Sequence, residues 1–264
     1  MRKNLRAIIA IEFENMAYFP ILEGIICLLV LFCVGTLLGG FMESVSIIPR
    51  SVYNGTGIEV NILEAIRKDN TQAAAGPLIS LPYVLSLIAP LLSTLTLTRP
   101  IEDGTLRTYL SFPVSRNTIL FIKFLLVNLL LWGISMGGWI IQIVLGIPSF
   151  QQYPTLLFWS LVLLLNCMLI TSTCFLVSML SKRTGTSLLF GLGMWYLLTM
   201  MSTNYNLSIQ VRGVFYPVVM LWASVYYGTS YVSANQFILP IIGTIVLISL
   251  AYSACHLIFQ KMEV

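Results

Sequence analysis

Residues 119–145 contain one charged side chain, Lys123, and no proline. At about 1.5 Å per helical residue, such a run is long enough to cross the roughly 30 Å hydrocarbon core of a bilayer. It is one of six apolar runs. The others cover residues 21–41, 78–97, 156–179, 184–201 and 237–259. With 58% hydrophobic and only 9% charged residues in 264, no single water-facing core could hide this much apolar surface. The spacing therefore predicts an all-α polytopic membrane protein of six transmembrane helices, a single domain over 1–264.

The polar segments arrange these spans. Residues 1–19 interleave Leu5, Ile8, Ile9, Phe13 and Met16 with Arg2, Lys3, Arg6, Glu12 and Glu14. This is a helix-period pattern too polar to span, so it reads as an amphipathic helix lying in the interface. No cleavage-type small-residue site follows it. Residues 42–76 form a long polar loop with a sequon at Asn54; a second sequon begins at Asn206. Residues 214–227 are apolar but broken by Pro217, and 14 residues are too few to cross. They read as a re-entrant hairpin before the last span.

Six crossings put both termini on one side, and Lys/Arg placement decides which. Arg2, Lys3, Arg6, Arg99, Arg107, Arg116, Lys123, Lys182, Arg183 and Lys261 fall on the terminal side, against Arg50, Arg67, Lys68 and Arg212 opposite. The termini and the 98–123 stretch are thus expected in the cytoplasm. The net charge of +4 is spread over loops and gives no nucleic-acid footprint. The five cysteines all lie inside apolar runs without a CxxC, as small buried hydrophobes.

The 98–123 stretch is the densest mixture of charge, Pro and Gly between two spans. Pro100 suits a first helical position, where no N–H is needed. Glu102 and Asp103 follow in the first turn, where negative charge favours the helix dipole. Ile101, Leu106 and Leu110 are its apolar positions, Arg107 lies near its end, and Pro113 stops it. The order predicts a short cytoplasmic helix over 100–110, with Leu106 as an anchor for a partner groove. Ser115, Arg116 and Asn117 offer capping side chains for the next helix.

Inside the spans the chemistry is sparse. Glu23, Lys123 and His256 sit near span edges, and no other acid or base lies within a span. Proton relays and ion pumps need such groups at depth. The neutral candidates for lining a substrate path are Asn128, Gln142, Asn166 and Thr171, whose ordinary role is to bond to nearby backbone. Gly133-Ile134-Ser135-Met136-Gly137 fits a G-x-S-x-G pattern, which with His256 raises an intramembrane serine protease. The nucleophile elbow needs a strand before the serine, however. Ser135 also lies about 24 Å from the inner face and His256 about 5 Å, by helical rise. A non-transporting membrane scaffold is a further alternative. No G-x-x-x-x-G-K-[ST] and no HExxH occur, so no phosphate loop or zinc motif is present and no metal site is expected.

The run Glu102-Asp103-Gly104-Thr105-Leu106, then Leu110-Ser111-Phe112-Pro113-Val114-Ser115-Arg116, then Lys123, closely resembles the cytoplasmic signature of type-2 ABC transporter permeases. The resemblance extends over the whole chain. It implies that Pro100, Glu102, Asp103, Gly104, Leu106, Arg107 and Leu110 belong to a coupling helix for a separate ATPase. It implies that Lys182 and Arg183 form a second, smaller cytoplasmic contact, and that the segment with Arg6 and Glu12 is the interfacial elbow helix. The 42–76 outer loop is longer than many members carry. By this resemblance the chain is a non-catalytic, multi-pass cell-membrane subunit. It pairs with a second permease copy among membrane lipids and is driven by ABC ATPase subunits that bind ATP and Mg2+, with export as the expected direction.

Overall fold

The computed structural model describes residues 9–11, 88–106, 115–146, 153–204, 206–220 and 234–262. Those residues are helices and turns, without a strand among them. Residues 88–93 are α-helical and run into a π-helical turn, Thr94–Thr98, then into α1 (Arg99–Glu102). Four longer helices follow: α2 (Arg116–Gly146), α3 (Tyr153–Ser181), α4 (Thr184–Thr203) and, after the short α5 (Ile209–Phe215), α6 (Ala234–Lys261). Residues 9–11, within the proposed interfacial segment, are helical. Arg6, Glu12, Arg107, Leu110, the 21–41 span and the 42–76 loop lie outside the described residues.

Pro100 explains the π turn. It has no N–H for the carbonyl of Thr96 four residues back, and its ring crowds that carbonyl. An α-helix cannot run through such a site unchanged, and a single π turn is a usual accommodation. Here the Arg99 N–H reaches back five residues to the Thr94 carbonyl. Pro100 stands at the second residue of α1, close to the first helical position expected from sequence, and α1 continues directly from the π turn before it.

By length and composition three helical stretches can cross a membrane: Arg116–Gly137, Phe158–Ser181 and Gln236–Lys261. They match the expected third, fourth and sixth spans, each lying in a helix that extends beyond its apolar run. Helix α4 is 20 residues long but is not among the three. Ser115 caps α2, its hydroxyl accepting the Thr118 N–H at 3.3 Å, as its position before an apolar helix predicts.

The core lies where α2, α3, α6 and the 88–106 segment meet. Phe124 of α2 stands edge-on to Phe175 of α3 at 5.6 Å and contacts Tyr252 of α6 at 5.0 Å. Leu92, Leu97, Leu120, Val127, Leu163, Cys167, Cys174 and Phe259 complete this layer. Outside it, α4 and α6 present Leu189, Phe190, Leu197, Ile238, Leu239, Ile242, Val246 and Leu250 to the surroundings. A face that apolar is intolerable in water and ordinary in lipid.

The re-entrant hairpin expected over 214–227 lies only partly within the described residues, which stop at 220 and resume at 234. Ahead of it stands α5, capped by the Ser208 hydroxyl, which accepts the Val211 N–H. The turn falls at Tyr216–Pro217, where the Val219 N–H returns to the Tyr216 carbonyl at 3.0 Å. Glycines let it pack tightly. A Cβ on Gly213 would stand 2.6 Å from Met220 Cγ, and one on Gly243 of α6 would stand 2.7 Å from Val214 Cγ2. The Thr244 hydroxyl adds a hydrogen bond to the Val214 carbonyl at 2.9 Å.

Candidate functional site

One end of the bundle gathers the exposed polar groups. Glu102 closes α1, and its Oε2 accepts the backbone N–H of Thr184, the first residue of α4, at 2.9 Å. The residue before that helix, Arg183, is extended and supplies no capping side chain. The orphan N–H at the start of α4 is thus satisfied from 82 residues away in sequence. The Thr184 N–H, then its hydroxyl, hold the Glu102 carboxyl below its ordinary 4.5, with desolvation opposing them and the Arg183 charge adding a lesser pull. Arg99 and Asp103 form an exposed ion pair at 3.5 Å on the same turn.

The expected single helix over 100–110 is interrupted. The α-helix ends at Glu102; Asp103 and Gly104 form a turn, and Gly104 has φ +72°, a conformation that glycine adopts without strain. Helix resumes at 105–106, beyond which the chain lies outside the described residues. That reversal also corrects the role of Leu106. It is fully buried in the same core as Leu97, Phe259 and Met262, so it anchors the loop to its own bundle and offers nothing to a partner groove. The exposed groups are Glu102, Asp103, Gly104 and Thr105, joined by Lys182 and Arg183 of the α3–α4 turn, with Pro100 half-buried. Lys182 takes φ +52°, which folds that tight turn back toward Glu102. The structure therefore brings the two sequence-identified polar contacts onto one surface.

The same end is knitted to the C-terminal end of α6. Arg116 Nη1 donates to the carbonyl of Met262 at 2.9 Å, and Gln260 Nε2 donates to Asn117 Oδ1 at 3.3 Å. A guanidinium on the last carbonyls of a helix satisfies orphan acceptors at the negative end of its dipole.

Lys123, read from sequence as a span-edge residue, is 1% exposed. Its Nζ donates to the Thr96 carbonyl at 2.9 Å, the acceptor that Pro100 leaves without an α-helical donor. The sequence signal for this pair was the Pro100 spacing: position 96 must lose its i+4 partner. Sequence reading also passed over Ser187. Its hydroxyl meets those of Thr94 and Thr98 at 3.0 Å and of Ser178 at 2.8 Å, all buried.

The interior candidates divide. Asn128 donates from Nδ2 to the Phe124 carbonyl of its own helix at 2.8 Å, while its Oδ1 has no partner. Both amide atoms of Asn166 and the hydroxyl of Thr171 on α3 are fully buried without a hydrogen bond. Gln142 lies on α2, and its side chain is outside the described residues. Most buried polar groups in proteins are paired, so the α3 groups call for a ligand, water or second chain. The catalytic alternative finds no such support. Ser135 donates to the Leu131 carbonyl one turn back, and His256 Nε2 stands 3.5 Å from Gln260 Nε2 in its own helix. Neither is arranged as a nucleophile with its base.

Three helices long and apolar enough to cross a membrane, with a polar, cross-braced end, define a helical membrane protein. The chain belongs to the ABC-2 transporter family, whose model, described as ABC-2 family transporter protein, matches residues 6–264. No curated protein matches it individually. Membership makes it the membrane component of a transporter that works with ABC ATPase partners.

Proposed function

We propose that the chain is the multi-pass permease subunit of an ATP-driven exporter of the cell membrane. It crosses six times with both termini in the cytoplasm, 184–201 included, and forms its pathway with a second permease copy, identical or paralogous. ATP and Mg2+ bind to separate ATPase subunits, and hydrolysis takes place there. Those subunits dock on the surface made by Glu102, Asp103, Gly104, Thr105, Lys182 and Arg183, with Pro100 stiffening its entry; Arg107 and Leu110 share that coupling role, and Arg6 and Glu12 belong to the elbow helix, as the family resemblance implies. The observation that carries this reading is the convergence of the 99–105 and 182–184 segments on one exposed surface at the end of the bundle that the Lys/Arg bias assigns to the cytoplasm. The substrate path is assigned to the interior, where Asn128, Asn166 and Thr171 hold unpaired buried polar atoms that a passing polar group can meet, with Gln142 further along α2.

The test is purification of the tagged chain from its native membrane under mild detergent. It should bring down an ABC ATPase in stoichiometric amount, and ATP hydrolysis should reside in that complex. The chain stripped of its partner should neither bind nor hydrolyse ATP. Nucleotide turnover that stays with the isolated chain through further purification contradicts the assignment.

A further inference from the structure

Four contacts tie the 88–102 segment to α4, and they fall at a four-residue interval along the first of these elements. Pro90 packs against Gly191, where an added Cβ would lie 2.9 Å from the Pro90 Cβ. Thr94 and Thr98 both meet the Ser187 hydroxyl at 3.0 Å. Glu102 accepts the Thr184 N–H at 2.9 Å. Positions 90, 94, 98 and 102 run toward one end while 191, 187 and 184 run the same way on an antiparallel helix, so the two elements are zipped along their whole shared length.

We propose that Glu102 is a positioning residue which locks the coupling segment to α4, so that nucleotide-driven movement of the 99–105 surface is delivered directly to the start of α4. The inference rests on the coupling role assigned above and changes what Glu102 does there. One oxygen of the exposed Glu102 carboxylate is engaged by a helix end, so its contribution is to hold two parts of this chain together rather than to grip the ATPase. The hydroxyl cluster one turn deeper keeps the two elements in register. Gly191 permits their closest approach. The α4 helix has no capping side chain at Arg183, so it depends on Glu102 for the partner of its first N–H.

The geometry supplies a clean probe. Thr184→Pro removes the donated N–H and the hydroxyl while leaving Glu102 and the exposed surface intact. Proline is favoured at a first helical position, and the extended Arg183, at φ −126° and ψ 136°, is compatible with a following proline. Wild type, Thr184→Pro, Glu102→Ala, Glu102→Gln and the Thr184→Pro/Glu102→Ala double variant are assembled with the ATPase in nanodiscs. Spin labels at Leu189 of α4 and Phe121 of α2, both exposed, report their separation with and without ATP plus vanadate. ATPase bound per permease is measured alongside.

The expected result is that Thr184→Pro binds ATPase within twofold of wild type yet loses most of the nucleotide-dependent distance change, that Glu102→Ala loses as much of that change per bound ATPase, and that the double variant loses no more than either. Glu102→Gln keeps an acceptor oxygen and should retain at least half of the change. The inference is overturned if Thr184→Pro moves as wild type does, if the two single effects sum, or if Glu102→Ala fails mainly by losing its ATPase. A wild-type chain that captures no ATPase overturns the coupling assignment itself, and that outcome is distinct because it appears before any substitution is made.

Discussion

Lys123 and Glu102 show how single polar groups decide the conformation of the segment between two spans. Pro100 deprives the Thr96 carbonyl of its donor, and the Lys123 ammonium supplies another at 2.9 Å. Pro100→Ala restores an N–H at that position, so Lys123→Met should cost less stability in the Pro100→Ala background than alone. The coupling should be about 1 kcal/mol, the usual net worth of a hydrogen bond, read from a double-mutant cycle of thermal unfolding in detergent. Additive effects would contradict the pairing. For Glu102 the sign follows from its depressed pKa. Its contribution is complete above the unfolded value of 4.5 and is lost only as pH falls through the lower folded value. Protection of the Thr184 amide from hydrogen exchange should therefore persist unchanged from pH 7 to 5, and Glu102→Ala should abolish it throughout. Leu106 is a core residue, so Leu106→Ala should cost about 2–5 kcal/mol and act on folding before any coupling. Its apolar character was legible in sequence, but its direction was not. That depended on Gly104 turning the chain at φ +72°, which a helical reading of 100–110 overlooks.

At the scale of elements, hydropathy located α2, α3 and α6, because twenty or more apolar residues leave little choice of structure. The helices run on past those apolar stretches, their ends set by Ser115 capping and by polar residues that continue the helix. Hydropathy passed over α5, since the Ser208 cap and the glycine contacts of that helix carry no hydropathy signal. Those contacts are testable. Gly243→Ala drives a methyl to within 2.7 Å of Val214 Cγ2 and should lower stability by about 1–3 kcal/mol, with most of the loss recovered by Val214→Ala. Equal loss in both backgrounds, measured by thermal unfolding, would show that α5 is not seated on α6 as described.

For the molecule as a whole, the cross-braced end ties α2 to α6 and the 88–102 segment to α4. Glu102 reaches Thr184, Arg116 reaches Met262, and Asn117 reaches Gln260. No motif search could have found these ties, because each joins residues remote in sequence; only the residue types on the exposed surface were legible beforehand. The same end must face the cytoplasm if the ATPases are to reach it. The most direct measurement places a photo-crosslinking amino acid at Thr105, exposed beside Gly104, and in a separate variant at Asn206, exposed in the turn before α5. Both are irradiated in native membranes. The predicted result is a crosslinked band containing this chain and an ABC ATPase from position 105 and none from position 206. An ATPase adduct from position 206, or its absence from 105 in a complex that still co-purifies, would contradict the placement of the coupling surface.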